Sequence, residues 1–108
     1  MSANRVELEG VLTEPVKFRT APSGTRVASL ELEHRSPGDP NSPVPLYHLA
    51  ITVVAVGELG ERFAQLETGS SLKVSGQLNQ RRWIRDGQTR FGKMELMARQ
   101  IEVMGQDD

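Results

Sequence analysis

Leu46 to Gly76 reads LYHLAITVVAVGELGERFAQLETGSSLKVSG, and three patterns follow one another within it. Leu46 to Val56 is apolar nearly throughout and rich in β-branched residues, which suits a mostly buried strand. The period then changes. Leu59, Phe63 and Leu66 fall four and three apart, with Glu58, Glu61, Arg62 and Gln65 on the other positions, so Gly57 to Thr68 is predicted as a helix of about two to three turns. Gly69 closes that helix. Leu72, Val74 and Gly76 resume the alternation of a strand, which runs on toward Gln80.

Toward the N-terminus, Val6, Leu8 and Gly10 to Leu12 alternate with Arg5, Glu7 and Glu9, the pattern of a first strand with one wet face, and Pro15 interrupts it. Pro22, Ser23 and Gly24 supply a turn. Ala28, Leu30 and Leu32 alternate with Ser29, Glu31 and Glu33 in a second strand ending near His34 and Arg35. Ser36 to Pro45 holds four prolines and one glycine and is predicted to be a loop. Toward the C-terminus, Met94, Leu96 and Ala98 alternate with Glu95, Met97 and Arg99, and Ile101 and Val103 extend this fifth strand. Five strands with one short helix between the third and fourth match an all-β, five-stranded Greek-key barrel of the oligonucleotide-binding type. A sandwich of similar strand order shares the pattern. The expected division is one domain over residues 1–104 and a short polar tail from Gly105 to Asp108.

A chain of 108 residues fits one core, and 37% apolar with 25% charged residues is ordinary for a globular protein. The longest apolar run, Leu49 to Val56, is too short to cross a bilayer, and the first ten residues carry no apolar stretch of signal-peptide length. The sequence has no cysteine, which excludes thiolate metal sites, thiol nucleophiles and disulfides and agrees with a cytoplasmic location. It also has no Gly-rich phosphate loop, HExxH pattern or nucleophile elbow, and Asp39 and Asp86 stand in separate loops, so a non-enzymatic protein without cofactor or metal is expected.

Charge is unevenly distributed. Arg81 to Lys93, RRWIRDGQTRFGK, holds five cations and one acid, a net +4 against −5 for the rest of the chain. This stretch falls between the fourth and fifth strands, where the loop of such a barrel borders nucleic acid, and it is predicted to be a basic loop carrying Trp83 and Phe91. Cations with exposed rings suit a flexible polyanion whose bases are free to stack, that is, single-stranded nucleic acid. Arg81, Arg82, Arg85, Arg90 and Lys93 are the candidate phosphate ligands and Trp83 the stacking platform, although Trp83 also suits a cover over the barrel mouth. Phe91 fits either role. Phe18 and Phe63 are assigned to the core. His34 and His48 lack a placed carboxylate and make a poor metal pair.

Five segments resemble primosomal replication protein N, the PriB family of bacterial replication restart, itself related to single-stranded-DNA-binding protein. They are NRVELEGVL at Asn4 to Leu12, PSG at Pro22 to Gly24, LEHRS at Leu32 to Ser36, GSSLKVSG at Gly69 to Gly76, and KMELMARQIEV at Lys93 to Val103. LEHRS is the most specific. The resemblance implies a homodimer without catalytic activity, a bridge to the restart helicase PriA and the loader DnaT, and single-stranded-DNA-binding protein as a further partner. It places Arg19 and Arg35 at basic DNA-contacting positions, Tyr47 at that of an exposed tryptophan, and Arg82, Arg85 and Lys93 on or near loop lysines. The chain departs from the family in the Pro37 to Pro45 segment, which lacks an aromatic, and in a longer basic loop containing Trp83. The competing expectation is a barrel that serves protein partners with little intrinsic nucleic-acid binding.

Overall fold

Pro15 cannot donate a backbone hydrogen bond, and the first strand breaks around it into β1 (Val6–Leu12) and β2 (Lys17–Thr20). The computed structural model describes residues 2–105. Its other elements are β3 (Arg26–Pro37), β4 (Leu46–Val56), α1 (Glu58–Arg62), β5 (Ser71–Arg85) and β6 (Gln88–Met104). Neighbours run β1-β5-β6-β4-β3-β2, and β1 also pairs with β3 through Val11 with Glu33 and Leu12 with Leu32, which closes the sheet into a barrel. All pairings are antiparallel except β4 with β6, from Thr52 opposite Glu95 to Val54 opposite Met97. The five-stranded barrel therefore holds, with its first strand in two pieces. Of the tail assigned to Gly105 through Asp108, only Gly105 lies within the described residues.

Alternation decides what is buried, because successive residues of a strand face opposite sides of the sheet. Leu30 and Leu32 from β3, Val53 from β4, Leu72 and Val74 from β5, and Leu96 from β6 meet inside with Leu12, each essentially inaccessible to water. Truncating one such leucine to alanine costs about 2–5 kcal/mol. The helix is shorter than the predicted Gly57 to Thr68. After Arg62 the chain continues in tighter turns, with the N–H of Phe63, Ala64 and Leu66 bonded to the carbonyls of Gly60, Glu61 and Phe63. The apolar stripe is nonetheless correctly placed, since Leu59, Phe63 and Leu66 all pack against the core.

The largest difference concerns Arg81 to Lys93, which is not a loop. The β5–β6 ladder continues to Arg85 opposite Gln88 and turns through Asp86 and Gly87, whose φ angles of 52° and 75° are both positive. A two-residue hairpin turn of this hand matches the right-handed twist of the strands, and Asp-Gly is its favoured sequence. β4 pairs with β6 only from Thr52 and Glu95 onward, and β1 pairs with β5 only as far as Gly76, so residues 81–92 leave the barrel as a two-stranded arm. Five residues of strand give it a reach of about 17 Å. The Pro-rich segment is a loop closing the β3–β4 hairpin, clasped by Gly38 N–H to the Pro45 carbonyl at 3.0 Å. No described helix is long and apolar enough to cross a membrane.

Candidate nucleic-acid interface

Pairing across the arm fixes which side chains share a face. Trp83 lies opposite Arg90 and Arg85 opposite Gln88, while Arg82 lies opposite Phe91 and Ile84 opposite Thr89. One face thus carries Arg81, Trp83, Arg85 and Arg90, and the reverse face carries Arg82, Ile84 and Phe91. Trp83 is 50% exposed, Phe91 62% and Ile84 77%. Such rings on a solvated arm add nothing to the core. Arg82, Arg85, Arg90 and Lys93 enter no ion pair among the described residues, so their charge faces water and its counterions.

Gly92 makes the seat for the tryptophan. A Cβ at that position would stand 3.0 Å from Cζ3 and 3.5 Å from Cη2 of Trp83, closer than carbon atoms pack comfortably. The outer edge of the six-membered ring therefore lies against Gly92, while half of the side chain's surface remains open to solvent. Arg81 behaves differently from its neighbours: its Nε donates to Oε2 of Glu95 at 2.9 Å.

Arg35 and Tyr47 lie on the β3–β4 ribbon but on opposite faces, since Arg35 pairs with His48 and Ser36 with Tyr47. The Tyr47 ring is 40% exposed, and its hydroxyl accepts the Asp39 N–H at 3.3 Å, which ties it to the Pro-rich loop. Arg35 borders a shallow depression with Glu9 and Glu33, and its charge acts on the Glu33 carboxyl. His48 binds Glu33 at 2.9 Å, and this hydrogen bond, aided by the charges of His48 and Arg35 and opposed by slight desolvation, holds the Glu33 carboxyl below its ordinary value of 4.5. Arg19 on β2 is exposed and in no ion pair among the described residues, whereas Lys17 is held by Glu14 and Arg26 by Glu61, with Arg26 also over the Phe18 ring.

Six of the nine predicted residues, Arg81, Arg82, Trp83, Arg85, Arg90 and Lys93, are thus brought together on or at the root of one arm. Arg35 and Tyr47 sit on a separate ribbon, and Arg19 on a third element. His34 and His48 fall on opposite faces, and both His34 nitrogens are occupied, Nδ1 by the Glu9 carbonyl at 2.6 Å and Nε2 by Ser36 Oγ at 2.8 Å. Sequence reasoning passed over Ile84 and Glu95. Ile84 was legible as an apolar residue flanked by arginines, but the pairing of Glu95 needed the register.

A family model described as "another single-strand binding protein family" matches residues 4–91. No curated protein matches the chain. Among solved structures, the single-stranded DNA binding protein of Thermus aquaticus superposes with a TM-score of 0.78 at 25% identity, covering 96% of this chain and 51% of that one. The chain therefore spans about half the length of that relative. The small single-stranded DNA-binding protein of Streptomyces coelicolor superposes with a TM-score of 0.72 at 22% identity, covering 95% of each chain, and shares the fold.

Proposed function

The chain belongs to a single-strand binding protein family, and on that premise we propose that it binds single-stranded DNA without catalysing a reaction on it. One observation carries this reading: the arm presents a half-exposed Trp83, seated on Gly92, together with Arg82, Arg85 and Arg90, which enter no ion pair among the described residues. Phosphates replace counterions around Arg82, Arg85, Arg90 and Lys93, and a base stacks on the exposed indole. Tyr47 offers a second ring on one face of the β3–β4 ribbon, while Arg35 on the opposite face and Arg19 on β2 add charge elsewhere on the barrel. These contacts read a charge and a ring face rather than a base edge, so little base preference follows. The binding domain is taken as residues 1–104.

The finer role is that of a replication-restart adaptor of the PriB kind. It would act in the cytoplasm as a homodimer, holding single-stranded DNA while bridging to the helicase PriA and the loader DnaT, with single-stranded-DNA-binding protein as a further partner. The five segments that resemble that family support it. A second reading, a protein-docking barrel with little affinity for nucleic acid, draws on the reverse face of the arm, where Ile84 and Phe91 are the most exposed large apolar residues described.

Competition between a labelled oligothymidylate and duplex of equal length, in one buffer, tests the stacking reading. Single strand should win clearly, because duplex bases are already stacked on one another. Equal affinity overturns the stacking model, and no binding of either at low salt leaves the docking barrel in its place.

A further inference from the structure

Among the described residues, Arg81 is the one arm cation with a carboxylate partner, and that partner is buried: the side chain of Glu95 is 5% exposed against 50% for Arg81. Glu95 sits on the last rung that joins β6 to β4, opposite Thr52, and so belongs to the barrel. Arg81 is the first residue of the arm. Their bond spans the joint between the two, where the β5–β6 register shifts between Gln80 and Arg82 and the ladder is locally disrupted. Gln80 Nε2 bonds across the same joint to the Gly92 carbonyl at 3.0 Å.

The pair also reaches the tryptophan. Arg81 and Trp83 are alternate residues of one strand and share a face. A Cβ on Gly92 would lie 3.5 Å from the Arg81 Cβ and 3.0 Å from the Trp83 ring, so Gly92 packs between the two. Arg81 and Trp83 thus flank the same Gly92, and the Arg81–Glu95 bond anchors the strand that carries the indole. A carboxylate as buried as Glu95 holds its cation strongly, because losing it leaves an uncompensated charge.

We propose that Arg81 is a positioning residue rather than a phosphate ligand: locked by Glu95, it sets the angle of the arm and presents Trp83 to the DNA. This rests on the reading of the arm as the single-strand site. The charge of Arg81 is already neutralised by Glu95, so it contributes little to counterion release. Its contribution is order, since a side chain fixed in the free protein need not be immobilised on binding, a saving equivalent to about two- to tenfold in affinity.

The test uses the full chain, a labelled oligothymidylate, and the fluorescence anisotropy of Trp83, the single tryptophan. Glu95→Gln should weaken binding about two- to tenfold although it removes a negative charge. It should leave the slope of log affinity against log salt unchanged and lower the Trp83 anisotropy of the free protein. Arg85→Ala, by contrast, should reduce the slope by about 0.7 and leave the anisotropy alone. Tighter binding with a steeper slope in Glu95→Gln means that Arg81 was a phosphate ligand held back, and overturns the proposal. Unchanged affinity and anisotropy overturn it too. If circular dichroism shows Glu95→Gln unfolded, Arg81→Met replaces it with the same expectations, and a slope loss equal to that of Arg85→Ala is then the overturning result. Should the parent protein fail to bind the oligonucleotide, the functional reading falls, while the anisotropy of the free variants still decides for or against the positioning role.

Discussion

Replacing Trp83 by Ala removes the ring without touching the barrel core. The indole is half-exposed with its outer edge against Gly92, and on the stacking reading it holds one base. The loss is therefore that of one stack, about 1–3 kcal/mol or about 5- to 150-fold in dissociation constant. Little stability goes with it, because the arm makes no core contact and a surface change of this kind is worth about half a kcal/mol. Stacking releases few ions, so the salt slope should stay at its parental value while the curve shifts to weaker binding. Fluorescence anisotropy of a labelled oligothymidylate at several salt concentrations measures both quantities. In the parent, binding should quench the Trp83 emission. Full affinity in a variant that keeps its circular dichroism spectrum, or no quenching in the parent, shows that the ring supports the arm instead of the DNA.

Leu96→Ala empties a fully buried site in the barrel and should lower unfolding free energy by about 2–5 kcal/mol in urea titrations; a loss under about 1 kcal/mol would contradict the packing described. The Glu33 carboxyl is depressed by His48, so its contribution to stability is fully present above the ordinary value of 4.5 and is lost as pH falls through the lower folded-state value. The stability difference between the parent and Glu33→Gln should therefore shrink below pH 4.5, and a difference that grows there refutes the assignment. Sedimentation equilibrium at micromolar concentration should give a dimer mass, and the 11.9 kDa monomer alone would rule out the homodimer.

The barrel was legible because its strands have one dry and one wet face. Ala28, Leu30 and Leu32, or Leu72 and Val74, announce a strand by alternation that burial later explains. β2 was missed since it is four residues long and only Phe18 of it packs inward. The arm reads as a loop in sequence because both of its faces meet water, which leaves no dry side to mark the period; the Asp86-Gly87 turn is the signal available. Charge, needing no geometry, singled out a stretch of chain whose six candidate residues the structure gathers on or at the root of one arm. What escaped was register: that Arg35 and Tyr47 point oppositely, and that Arg81 meets Glu95, depend on pairings and a bulge that composition does not encode.

The claim that an arm of uncompensated cations binds the phosphate chain is tested most directly by the salt dependence of Arg82→Ala/Arg85→Ala/Lys93→Ala on oligothymidylate. Each single-strand phosphate contact contributes about 0.7 to the slope of log affinity against log salt, so losing three should flatten it by about two while weakening binding at low salt. A triple variant that remains folded and keeps the parental slope would contradict the account.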